Sequence, residues 1–200
     1  VVIAIITIVL ILVLSGNDDK KKKSDNKTTE NVVSTEETTT EEETTTEEPT
    51  TNAGTDVDSD DAEDVLEKFM KALDAENYSK AANYMLPALI EACEDMQADG
   101  DLLAETLASN FLDPNGDLLD WEFAYSYMES NYDYEEFLEV SEDEGIELKD
   151  YSSYVEPTAF ATVQVTFTYE DQESYIYVYL AYVDGEFYVY DYDESYFDIG

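Results

Sequence analysis

The chain has 200 residues, with 50 Asp plus Glu against 9 cations, a formal net charge of −41, no His and one Cys. All nine cations are Lys, which excludes His-based triads, His-bound zinc, arginine fingers and bidentate Arg grips on phosphate. A chain this acidic also repels phosphate backbones, so nucleic acid is not expected as a direct partner.

Three compositions follow one another: an apolar segment at 1–14, a polar linker at 15–60 and a globular candidate at 61–200. Val1 to Leu14 is apolar apart from Thr7. As a helix it would extend ~21 Å, short of a ~30 Å bilayer core, and we read it as the remainder of a transmembrane anchor or secretory signal. Leu14-Ser15-Gly16 resembles the end of a bacterial lipoprotein signal, but Asn17 stands where the lipidated Cys belongs. Lys20 to Lys23 favour a cytoplasmic flank. Ser24 to Asp60, with its TTTEEE pseudo-repeat, favours export: it has almost no aliphatic or aromatic content, is expected to be disordered, and reaches roughly 30–35 Å as a coil. The expected layout is a membrane-anchored, surface-displayed module with its globular part extracytoplasmic.

The segment 61–200 holds 4 Lys against 36 acidic residues, a net charge of −32. It is long enough for a single core. Asp60 and Glu63 have capping-box spacing, and Val65, Leu66, Phe69, Met70 and Leu73 then recur at helical intervals, predicting a first helix of about four turns. Asn77-Tyr78-Ser79 is expected to break the first helix and cap a second, which Pro87 kinks or restarts and which continues through Leu89, Ile90, Cys93 and Met96. With no partner Cys and no cation close in sequence, Cys93 is expected to be a buried, inert thiol. Asp101 is expected to cap a further helix carrying Leu103, Leu107 and Phe111, ended by the turn Asp113-Pro114-Asn115-Gly116. Trp121 to Met128 alternates in part and is read as an edge strand, and Tyr132 to Val140 as a short helix.

The C-terminal third alternates with period two over Ala161 to Tyr169 and Tyr175 to Val183. A tight Asp171-Gln172 turn would join these two strands. Asp184-Gly185 is a two-residue hairpin signal that sets Val183 opposite Glu186, Tyr182 opposite Phe187, Leu180 opposite Val189, Tyr179 opposite Tyr190 and Tyr177 opposite Tyr192. The sheet then has an aliphatic face (Val163, Val165, Phe167, Ile176, Val178, Leu180, Val189), which should pack on the helices. Its other face carries Thr162, Gln164, Thr166 and Thr168 with Tyr175, Tyr177, Tyr179, Tyr188, Tyr190 and Tyr192, and is expected to look outward. These six tyrosines are the candidate partner-binding residues. Replacing Tyr177, Tyr179 and Tyr190 by Ser is expected to abolish association while leaving the fold largely intact.

The helical opening FMKALDAENYSKAANYM (Phe69 to Met85) and the closing hairpin YVDGEFYVYD (Tyr182 to Asp191) resemble the nuclear transport factor 2-like superfamily, in particular its membrane-anchored bacterial members of unknown function. The resemblance covers about Asp61 to Leu89 and Ala159 to Tyr192. It implies an α+β fold with helices packed on a curved antiparallel sheet, sometimes around a pocket, and no particular activity. Some enzymes of that superfamily use an Asp base with a Tyr donor, but no Asp–Tyr pair stands out here. No catalytic residue and no cofactor is assigned.

Asp113, Asn115, Asp117 and Glu122 supply oxygen ligands in a loop, yet Leu118 and Ala124 occupy the positions where an EF-hand needs Gly and Glu, so no metal residue is assigned. The function expected is a non-catalytic binding module, its partner a protein, a wall-associated component or a second copy of the chain. The competing expectation is a small-molecule binder or enzyme with a cavity between the helices and the aliphatic face.

Overall fold

The computed structural model of the protein describes residues 57–96, 98–193 and 197. The segment 1–14, most of the linker and the expectations placed on them lie outside the described residues. Among the described residues no helix is long and apolar enough to cross a membrane.

Helix α1 (Ser59–Asp74) starts two residues earlier than the Asp60–Glu63 spacing predicts. Asp58 accepts from the backbone N–H groups of Asp60 and Asp61, and the Asp61 carboxylate accepts from that of Asp58. Acids are so frequent here that several could cap. This choice brings Ala62 into phase with Leu66, Phe69, Met70 and Leu73, all buried. Glu76, in the left-handed region at φ 52°, turns the chain, and Asn77 caps α2 (Tyr78–Ala82) by accepting from the Lys80 N–H, as expected. Pro87 is the first residue of α3 (Pro87–Asp95), where its missing N–H is harmless. Helix α4 (Gly100–Ser109) is capped by Asp99 rather than Asp101. A Cβ on Gly100 would stand 3.1 Å from the Ala82 Cβ and from an Ile90 methyl carbon, so glycine permits α4 to approach α2 and α3 closely.

The Asp113-to-Gly116 turn leads into β1 (Asp120–Glu129), which among the described residues pairs only with β2 and is an edge strand. Helix α5 (Tyr132–Asp143) follows, three residues longer than its sequence signal, and then a 3-10 turn (Leu148–Asp150). Strands β2 (Ala159–Tyr169), β3 (Gln172–Val183) and β4 (Glu186–Asp193) complete an antiparallel meander in the order β1-β2-β3-β4. The fold is therefore α+β, with a four-stranded antiparallel sheet. The chain at 84–86 runs along the outer side of β4, with Leu86 N–H donating to Val189 C=O and Val189 N–H to Tyr84 C=O. This blunts one edge of the sheet.

The β2–β3 turn is Glu170-Asp171, since Tyr169 faces Gln172, one residue earlier than the Asp171-Gln172 expectation. That shifts the pairing by two positions, which leaves both faces unchanged because side chains alternate with period two. The aliphatic face is buried as expected, at 0–4 % exposure from Val163 to Val189. Helix α1 packs across β1, β2 and β4, and the Phe111 ring stacks on Phe167 at 4.8 Å.

Candidate functional site

Two β-bulges decide what the other face of the sheet displays. In β1, Phe123 pairs with Val165 and Tyr125 with Gln164, so Ala124 is the extra residue. In an unbroken strand Trp121, Phe123, Tyr125 and Tyr127 would share one face. The bulge instead puts Trp121 and Phe123 on the aliphatic side, half-buried against the core, and Tyr125 and Tyr127 on the tyrosine side. In β4, Val189 pairs with Leu180 and Asp191 with Tyr179, so Tyr190 is the extra residue.

This second bulge corrects two expected pairs. Tyr190 does not oppose Tyr179 in register, and Tyr192 faces Val178 rather than Tyr177. Tyr192 thereby moves to the aliphatic side, where it is 2 % exposed, meets Phe111 edge-on and accepts a hydrogen bond from the Asn110 side chain at 3.0 Å. Asp191 and Asp193 take its place on the tyrosine side, opposite Tyr179 and Tyr177.

The expectation that all six tyrosines look outward is corrected as well. Along β3 the burial alternates through Ile176 and Val178, with Tyr175 and Tyr177 half-buried, then stops alternating at Tyr179. The cause is α5, a second layer over that end of the face. Tyr134 lies 5.2 Å from Phe160 and 5.1 Å from Tyr190, and Phe137 lies 5.1 Å from Tyr190. Tyr179 and Tyr190 are 8 % and 1 % exposed, so substituting them by Ser removes core side chains and destabilises the fold instead of acting on the surface alone. Tyr188, half-buried near the β4 edge, donates to the Glu186 carboxylate.

Beyond α5 the face is open. Tyr125 and Tyr127 are 47 % and 42 % exposed. They were not among the sequence candidates, and their signal was the i, i+2 spacing in Tyr125-Ser126-Tyr127 within a strand that alternates only in part. The Tyr125 hydroxyl donates to that of Tyr177 at 3.0 Å. Ring centroids are 6.0 Å apart for Tyr125–Tyr127, 6.4 Å for Tyr125–Tyr177 and 5.7 Å for Tyr175–Tyr177. Gln164, Thr166 and Thr168 lie between these rings on β2, half-buried.

Carboxylates surround the rings. Register and alternation put Asp120, Glu122 and Glu129 of β1, Glu173 of β3 and Asp191 and Asp193 of β4 on this same side. The four Lys of the described residues lie elsewhere, on α1, α2 and the 3-10 turn. Burial raises the Glu129 carboxyl above its ordinary value, reinforced by Asp133 and opposed by the hydroxyls of Thr162 and Tyr127. Burial, then Glu129, pushes Tyr127 up to about 12. Tyr179 and Tyr190 are also raised, by burial first and then by the acids around them, so these phenols remain protonated donors at physiological pH.

Other candidates resolve differently. Asp113 folds its own loop: one carboxylate oxygen accepts from the N–H groups of Asn115 and Asp117, and the other from the Asn115 side chain. Glu122 is on β1, facing the tyrosines, and among the described residues no group of three acids or Cys is placed to hold a metal ion. Cys93 is buried, and burial pushes its thiol up to about 12.

Among the described residues, a surface groove of about 460 Å³ lies between α1, α2 and the β3–β4 hairpin and is lined by Lys68, Lys80, Tyr84 and Tyr182 among others. Neither this groove nor those beside α5, the Asp113 turn and α3 is lined by Val163, Val165, Ile176, Tyr179 or Asp191. Comparisons of the chain with protein-family models, curated proteins and solved structures give no match.

Proposed function

We propose that the protein is a non-catalytic binding module whose contact surface is the part of the tyrosine face that α5 leaves open. The observation that carries this reading is the exposure of Tyr125 and Tyr127 on a rigid sheet, each ring held by a neighbouring ring. Tyrosine offers large contact area at small conformational cost, which suits recognition surfaces. The aliphatic face of the sheet, from Val163 to Val189, lines none of the grooves described, which favours this reading over a pocket between helices and sheet. Helices packed on an antiparallel sheet support reading the domain as a nuclear transport factor 2-like module. The apolar run at 1–14 and the Thr/Glu linker support display of that module from a membrane on its outer side.

Photo-crosslinking in intact cells making the full chain tests the surface. A benzophenone side chain at position 127 is expected to give a discrete adduct, and one at Glu139, on the outer side of α5, none. Adducts from position 139 alone, or from neither position, would overturn the assignment.

A further inference from the structure

Resting on that reading, we infer that the partner presents a lysine-rich polypeptide segment to the tyrosine face. The first argument is charge. Asp120, Glu122 and Glu173 are exposed on this side of the sheet with Glu129 half-buried beside them, Asp191 and Asp193 lie buried at its covered end, and among the described residues no Lys shares the face. Complementary potentials select partners and speed encounter. A second copy of this chain would bring like charge to the same surface.

The second argument is the shape of the aromatic cluster. Tyr125 and Tyr127 are inclined by 25°, but Tyr177 breaks the platform a sugar would need, standing at 58° to Tyr125 and 74° to Tyr175. Inclined rings make a notch, and their π faces attract an ammonium group. Hydroxyls on Tyr125, Tyr177, Thr166 and Thr168 and the Gln164 amide supply acceptors for its three N–H donors. The third argument is spacing. Acids and tyrosines on one face of a strand recur every ~6.6–6.8 Å, the interval at which alternate residues of an extended peptide present their side chains. A cationic segment lying along β1 can therefore meet Glu122, Tyr125 and Tyr127 in succession.

The probe is a fluorescent decapeptide of alternating Lys and Ala, titrated against the full chain by anisotropy at low salt. Any polyanion attracts such a peptide, so the measurement compares variants. Y125S/Y127S changes no charge and is expected to weaken binding roughly tenfold through the loss of two exposed cation–π contacts. D120N/E122Q removes two charges on the face, and E139Q/E142Q removes two on α5; the first should weaken binding clearly more than the second. Equal loss in these two variants, with Y125S/Y127S unaffected, would reduce the effect to diffuse attraction and overturn the inference, as would absence of binding. An adduct at position 127 together with either of those results would leave the contact surface standing and remove only the cationic partner.

Discussion

Tyr190 and Tyr125 carry the same side chain on the same sheet, and the structure assigns them opposite energetic roles. Tyr190 is 1 % exposed, wedged between Tyr134, Phe137 and Tyr179. A buried tyrosine removes about 150–250 Å² from water, which at ~25 cal/mol/Å² corresponds to about 4–6 kcal/mol as an upper bound. Large-to-small aromatic substitutions in cores cost about 3–5 kcal/mol, so Tyr190→Ser should destabilise by about 4 kcal/mol. That is a large share of the ~5–15 kcal/mol typical of a domain. Tyr125 is 47 % exposed, and Tyr125→Ser leaves no closed cavity, so about 1 kcal/mol is expected from lost area and strand preference. Urea unfolding followed through Trp121 fluorescence, supported by circular dichroism, reads the difference. With a slope of ~2 kcal/mol/M, the two midpoints should differ by about 1.5 M. Midpoints within about 0.3 M of each other would refute the burial argument and return Tyr190 to the outward-facing set.

Further expectations are local. Asp184 and Gly185 both have positive φ, at 51° and 98°, so Gly185→Ala should destabilise the hairpin by about 1 kcal/mol, and an unchanged melting temperature would contradict the turn geometry. The Glu91 carboxylate, which accepts from the Ser153 N–H and the Ser152 hydroxyl, is held down at about 2. Its folded value lies below its unfolded one, so its contribution is complete above about pH 4.5 and is lost as pH falls toward 2. Glu91→Gln should flatten that part of the stability profile, and an unaltered acid limb would argue against the contact. Glu129 has the opposite sign: its raised folded value makes its contribution greatest at low pH and lost as pH rises through that value. Glu129→Gln should accordingly be more stable than the parent at pH 7 and show less advantage at pH 4; the reverse order would place Glu129 in solvent. Cys93 should resist Ellman's reagent at pH 8 until urea unfolds the chain, and prompt labelling of the native protein would show that the thiol is reachable.

Local chemistry determined much of this protein without reference to the rest of the chain. Asn77 caps α2, Pro87 opens α3, and Asp184-Gly185 makes the hairpin, because each signal acts within one turn of backbone. Period-two alternation likewise placed Val163, Val165, Ile176 and Val178 on one buried face. Where acids crowd, at Asp58 to Glu63 and Asp99 to Asp101, the capping signal was repeated, and the phase of buried residues chose among the candidates.

Tertiary structure decided the site. Nothing local to Ala124 or Tyr190 marks a bulge; these strands gain an extra residue because doing so places Phe123 and Tyr192 against the helical layer, with Tyr192 meeting Phe111. Each bulge reverses the side on which every later residue of its strand points, which brought Tyr125, Tyr127, Asp191 and Asp193 to one face. Which tyrosines remain accessible depended in turn on where α5 came to rest, and Tyr134 and Phe137 settled on Tyr190 through contacts more than fifty residues apart in the chain. Composition could announce an aromatic, acidic sheet, but only packing between distant segments could divide it into a buried half and a reachable one.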